Sequence, residues 1–223
     1  MKKTTLAVPA GIPEVEAFRS EAKVTGRDLV LASRGRSAPP ETIHEPDEAA
    51  PPADSRAILA WDSLSFASAR AVVLEAENEL GGHLDELVLF ADPPRDDTPF
   101  IDATPRAIEE TALSWAAGHA ELIREAARRF SERGGGTVVL VITERPERGP
   151  LGSMAAGALL GLAEGLIASA GSADSSWRFI AVLDESGQPD LVARYVAKLL
   201  DEPPRDTGKV LRHSGRAGLF GAR

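Results

Sequence analysis

Few side chains in this 223-residue sequence stand at spacings that could carry out chemistry. Tyr195, the only tyrosine, lies three residues before Lys198 in DLVARYVAKLL, a phenol beside an amine able to lower its pKa and so help move a proton. The same spacing suits one face of an amphipathic helix, and packing is the preferred role. Ser153 sits in GPLGSMAAG, at a glycine-flanked helix start where a nucleophile could stand. No acid and histidine are placed to activate it, so helix capping by Ser153 or a neighbour is expected instead. The four histidines, His44, His83, His119 and His213, have no ligand partner one turn away, and cysteine is absent, so no metal site is expected. His119, one turn from Trp115, is read as an interface or surface residue. Arg34 and Arg36 stand in SRGR after an apolar run, and arginines in a surface turn need no special role.

Composition narrows the classes. Hydrophobic residues make up 43% and charged residues 26%, which describes a chain able to bury a core and argues against wholesale disorder. Its length suits one α/β domain. The formal net charge of -9, with no basic stripe, argues against a nucleic-acid partner, because phosphate binding is driven by clustered Lys and Arg. The lack of cysteine removes thiolate catalysis and disulfides and fits a reducing compartment, so a cytoplasmic location is expected. No stretch is expected to reach the roughly 20 apolar residues of a membrane helix, so no membrane association is expected.

The positioning elements follow from hydrophobic patterning. Short apolar runs bounded by turn formers predict strands over residues 4–8, 28–32, 57–61, 86–90, 137–142, 178–183 and 210–212. Several are nearly continuous in apolar residues, as expected of parallel strands covered on both faces. Helical periodicity is read over 12–23, 67–80, 105–133, 152–170 and 190–200. This alternation predicts a doubly wound α/β fold with about six to seven parallel strands. Residues 37–55, rich in Pro and acidic side chains, are expected to form a flexible loop between two strands.

The stretch GGGTVVLVITERPERGPLGSMAAGALLGLAEGL, residues 134–166, runs strand, loop and small-residue helix, with no Tyr or Lys. It resembles the segment of the short-chain dehydrogenase/reductase family that holds a catalytic Ser and then Tyr-x-x-x-Lys. HLDELVLFA at 83–91, AWDS at 60–63 and TGKVLRHSGRAG at 207–218 are similar, in order and spacing, to three further segments of that family. The resemblance implies a Rossmann-like sheet. It also places Gly152 at the catalytic Tyr, Ala156 at the Lys, Thr143 at the Ser and Ala116 near the helix Asn, so the proton-transfer groups are missing. Thr143 alone retains a hydroxyl, which would bind without catalysing.

The cofactor side departs as well. Where the family has a glycine-rich phosphate loop, VPAGIPEVEAF at 8–18 keeps only Gly11 and has Pro9 and Pro13, neither with an amide to donate. Glu14 and Glu16 follow and satisfy the helix dipole themselves. The family's Asn-Asn-Ala-Gly becomes Leu89, Phe90, Ala91 and Asp92, and its later Pro-Gly becomes Asp184 and Glu185. Carboxylates gathered in this crevice would repel a diphosphate. Gly11, Arg34, Ala91 and Asp92 are thus vestigial cofactor positions, and no bound NAD(P) is expected.

These readings predict a non-catalytic short-chain dehydrogenase-like protein that oligomerises or pairs with an active reductase subunit. In the family the helices at 105–133 and 152–170 meet those of a second subunit, and Ala112, Trp115, Ala116, His119, Leu122 and Ile123 are the residues expected to offer that surface. The alternatives are an NAD(P)-dependent oxidoreductase with a non-standard site, or a small-ligand sensor using a vacated crevice beneath Phe90, Thr143 and Asp184.

Overall fold

The computed structural model describes residues 2–35, 58–170, 176–204 and 208–215. The expected loop at 37–55, with Arg36 and His44, lies outside them. Seven parallel strands form one sheet in the order β3-β2-β1-β4-β5-β6-β7. These are β1 (Thr4–Val8), β2 (Asp28–Arg34), β3 (Leu59–Trp61), β4 (Glu86–Ala91), β5 (Thr137–Thr143), β6 (Arg178–Asp184) and β7 (Leu211–His213). The order reverses between β1 and β4, the topological switch point at which such sheets open a crevice at their C-terminal ends.

The continuous apolar runs are strands because both sides of the sheet are covered. Leu6, Leu87, Leu140 and Ala181 enter the core on one face, and Ala7, Val88, Val139 and Val182 enter it on the other. On the second face lie α1 (Pro13–Val24) and α6 (Pro189–Asp201), each opened by a proline near its start, where a missing amide does no harm. The first face carries α2 (Phe66–Glu79), whose start is capped by the Ser65 hydroxyl accepting from the Ser68 amide, and the helices that follow β4 and β5. Phe18, Phe130, Phe179 and Trp61 are sealed in these layers. Each such side chain contributes on the order of 1.5–3 kcal/mol from apolar burial.

The single helix expected over 105–133 is in fact three pieces in one run. α3 (Pro105–Ala112) is capped by Thr104, a π-helical turn spans Leu113–Ala117, and α4 (Gly118–Arg133) ends at Gly134 in the left-handed conformation. The π turn adds a residue to the helical repeat and so rotates the face, bringing Trp115, Gly118 and His119 inward together. Gly118 lies so close to the backbone of Ser63 that a Cβ there would overlap the Ser63 carbonyl oxygen.

After β5 comes α5 (Gly149–Ala170), beginning three residues earlier than expected. Ser153 is therefore an exposed residue within the helix and caps nothing. By length and composition α5 is apolar enough to cross a membrane, which corrects the expectation that no such stretch exists. One face, Ala155, Leu159, Ala163 and Ile167, joins the core. The opposite face is exposed and bears Met154, Gly157, Gly161 and Gly165, and nothing lies within 4 Å of where a Cβ would stand on those three glycines.

Candidate functional site

The crevice above β1 and β4 is framed by the turn after β1, the ends of β2 and β3, the loop after β4 and the π turn. Several of its expected features are present in altered form. The turn after β1 offers few donors: Pro9 and Pro13 have no amide, and the Ala10 amide is spent on the Ala32 carbonyl at 2.7 Å. Gly11 takes φ +87°, and Glu14 is buried close by, within Coulombic reach of Arg145. A dinucleotide's pyrophosphate would find only the Gly11, Ile12 and Glu14 amides there, beside a carboxylate. These residues do not fit that group.

The expected gathering of unpaired carboxylates is corrected. Asp92 is clasped by Arg145 at 2.9 and 2.7 Å, with Arg148 at 3.6 Å. This pairing raises the Arg145 pKa, through the hydrogen bond to Asp92 before its charge. Asp184 is buried and bonded to His213 Nδ1 at 2.9 Å and the Ser186 hydroxyl at 2.7 Å, while Glu185 pairs with Arg212 at 2.5 Å. The local sequence exposed these charges; the fold supplies partners from other elements.

Arg148 closes the end of the crevice where the resemblance places substrate. Its guanidinium donates to the carbonyls of Pro93 and Thr143, and the Asp96 amide donates back to the Arg148 carbonyl at 2.9 Å. Burial lowers the Arg148 pKa, and the nearby Asp92 and Glu144 charges oppose that shift. The two loops are so closely joined that a Cβ at Gly152 would overlap the Pro94 carbonyl oxygen. Any side chain at Gly152, a phenol included, would require these loops to part. Ala156 is half-buried one turn on, Thr143 is buried, Ala91 is in the core, and Ala116 is half-buried in the π turn. None of the four carries a proton to give except the Thr143 hydroxyl.

On the other side of the crevice Arg34 does not project into a surface turn. Its guanidinium lies 3.5 Å over the Trp115 ring, Nε donates to the Ser63 hydroxyl at 3.3 Å, and Nη2 donates to that of Ser114. Desolvation lowers its pKa to about 10. Trp115 stacks in turn on His119, ring centroids 5.2 Å apart and planes 13° from parallel, and Trp61 meets His119 at 5.2 Å and 81°. His119 is thus buried within the chain, as are Trp115, Leu122 and Ile123, which corrects both its reading as a surface residue and their assignment to a subunit surface. Its pKa falls to about 3, chiefly from desolvation, then from Arg34, against a bond to the Ser114 carbonyl.

Phe90, Trp61, Trp115, His119 and Arg34 line a half-open pocket of about 280 Å³ beside this stack. Of the three residues expected to bound a vacated crevice, Phe90 alone lines it. Thr143 and Asp184 pair with each other on neighbouring strands outside it. Tyr195 packs face to face on His213, 4.6 Å between centroids, in keeping with a packing role. Among the described residues no cluster of three potential metal ligands occurs.

The sheet order and the full-length superposition decide the architecture. A short-chain dehydrogenase from Mycobacterium smegmatis aligns with a TM-score of 0.74, covering 97% of this chain and 94% of that one at 18% identity. The chain has the short-chain dehydrogenase fold. Within that fold, a 3-ketoacyl-(acyl-carrier-protein) reductase from Brucella melitensis complexed with NADH aligns at 0.73, with 18% identity and 96% and 98% of the two chains covered. A short-chain oxidoreductase from Brucella ovis with a partially ordered NAD aligns at 0.73, with 17% identity and 96% and 100% covered. No protein-family model and no curated protein matches the sequence.

Sequence reading missed Arg148, Ser63, Ser114 and Trp61 as site residues. A signal existed for Arg148 alone: an arginine among prolines and glycines directly before a helix start. The others are ordinary residues until β2, β3 and the π turn meet.

Proposed function

We propose that this protein is a non-catalytic short-chain dehydrogenase-like protein that works through association, with copies of itself or with an active reductase subunit. The observation that supports this reading is the seam at Arg148 and Gly152, where the Pro94 carbonyl leaves no room for a side chain at the position that the resemblance assigns to a phenol. The phosphate-side turn, poor in amides and beside Glu14, supports the absence of a bound dinucleotide. Titration calorimetry with NADH and NADPH is expected to give no saturable heat. A micromolar Kd for either, or turnover of a carbonyl substrate with a reduced nicotinamide, would overturn the proposal.

The proposed association surface is the outer side of α5 with the adjoining Ala112 and Ala116, which the exposed glycines of α5 support. Glycines cost about 1 kcal/mol each in an exposed helix, and backbone-to-backbone approach of a second helix offsets that cost. Sedimentation should show a dimer or tetramer that Gly161→Arg reduces to monomer. A wild-type protein that is monomeric at all concentrations, with no reductase partner recovered, would sink this part.

A second reading, an NAD(P)-dependent oxidoreductase with a non-standard site, is favoured by the NADH and NAD complexes of the structures to which this fold is similar. It requires the seam after β5 to open and a proton donor other than Gly152. The same titration decides between the two.

A further inference from the structure

The cavity beneath the Arg34, Trp115 and His119 stack has the makings of a binding site for a ligand smaller than a dinucleotide. Its volume, about 280 Å³, is near the lower limit of small-molecule sites and holds one or two fused rings. The walls favour a flat molecule. Trp115 and His119 lie parallel, Trp61 stands across them, and Leu89 and Phe90 add apolar lining, so an aromatic ring would meet ring edges and apolar surface.

Three polar groups bear on what the cavity could take. Among the described residues the Trp61 Nε1 donor is buried without an acceptor, although indole N–H groups in protein interiors normally find one. His119 Nδ1 faces the Ser114 carbonyl at 3.0 Å, and since a carbonyl only accepts, Nδ1 carries the proton and Nε2 presents a lone pair. Arg34 is the cavity's one cation, and among the described residues its guanidinium bonds only to hydroxyls, with no carboxylate partner. The cavity's own acid, Asp92, is engaged by Arg145. A desolvated guanidinium 3.5 Å over an indole ring, with no carboxylate partner among the described residues, is arranged for a planar anion. One arginine balances one negative charge. A phosphate dianion beside Asp92 would carry one charge more than Arg34 balances, so a carboxylate is the better match.

We propose that this cavity binds a small aromatic carboxylate, its ring between Trp115, Trp61 and Phe90 and its carboxylate on Arg34, with the Trp61 indole N–H as a second donor. The protein would then report or carry an aromatic acid on a fold that has surrendered its hydride chemistry. The site rests on the crevice being free of dinucleotide, as argued above.

The test is titration calorimetry of the full chain with salicylate and 2-naphthoate, against neutral 2-naphthamide and inorganic phosphate, with NADPH as competitor. At least one acid should bind one site with a Kd at or below about 100 μM. The amide should bind at least roughly tenfold more weakly, as should the acid to Arg34→Gln. Trp61→Phe, which keeps ring bulk and removes the donor, should weaken the acid several-fold. No saturable heat with either acid, equal affinity for acid and amide, tighter binding of phosphate, or an Arg34→Gln protein of native melting behaviour and unchanged affinity would each overturn the proposal. If Arg34→Gln does not fold, the comparison of acid and amide on the unaltered protein carries the test. Displacement of bound acid by micromolar NADPH would sink the dinucleotide-free reading and leave the aromatic acid site standing.

Discussion

The guanidinium of Arg148 donates to the carbonyl of Pro93, joining the loop after β5 to the loop after β4. A second bond to the Thr143 carbonyl makes Arg148 the pin of the seam beside Gly152. Arg148→Met keeps an unbranched apolar stem and strips two buried carbonyls of their donor. The expected loss is about 2–4 kcal/mol. For a chain of this size that lowers the thermal midpoint by roughly 5–15 °C. A melting curve that superimposes on the parent's would show that the seam contributes nothing to stability.

His119 gives the protein a built-in acid sensitivity. Its folded pKa is about 3, lowered first by desolvation and then by Arg34, whereas the unfolded side chain protonates near its ordinary 6.5. Between these values the unfolded chain binds more protons than the folded one, so this group makes stability fall as pH drops from about 6.5 toward 3. Its slope is at most about 1.4 kcal/mol per pH unit, and above 6.5 it contributes none. His119→Phe preserves the stacked ring and removes the titration. Urea unfolding of both proteins from about pH 7.5 to about 4.5 should therefore give curves that converge in acid. Parallel curves would contradict the assignment.

Two glycines predict opposite outcomes for the same substitution. At Gly118 an added methyl overlaps the Ser63 backbone, and neither the π turn nor the turn before α2 yields without disturbing the Arg34 stack. Gly118→Ala should cost about 1–3 kcal/mol, toward the upper end because the obstacle is main chain. Gly161 faces open space within the chain, so Gly161→Ala should raise monomer stability by about 1 kcal/mol while weakening self-association. Chemical denaturation reads the first effect, and sedimentation the second.

At the opposite edge of the sheet, Arg27 is buried between Glu86, 2.9 Å away, and Asp201, at 2.8 Å, and Thr5 donates to Glu86 at 2.6 Å. Burial alone would lower the Arg27 pKa, and its bonds to Glu86 and Asp201 more than reverse this. Glu86→Leu leaves a buried cation short of its partner and should cost about 3–5 kcal/mol. Adding Arg27→Met should recover most of that loss. A double variant no more stable than Glu86→Leu alone would show that the damage lies in packing and not in the stranded charge.

Local structure was written plainly in the chain. Continuous runs such as the one in β5 mark strands covered on both faces, Pro13 and Pro189 mark helix starts, and Gly134 marks a helix end, because each depends on contacts within a few residues. That Gly152 and Ala156 carry no proton donor, and that Pro9 and Pro13 carry no amide, was likewise legible, since it follows from residue type alone. Pairing between distant segments was not. Asp92, Asp184 and Glu185 read as bare carboxylates because their partners Arg145, His213 and Arg212 arrive from other elements, brought close only by the order of the strands. Trp115 and His119 read as a subunit surface because a regular helix was assumed, and the π turn rotates them inward to meet Arg34 from β2 and Trp61 from β3. Hydrophobic periodicity fixes which face of an element is buried, while charge compensation and cavity shape are set by which elements become neighbours.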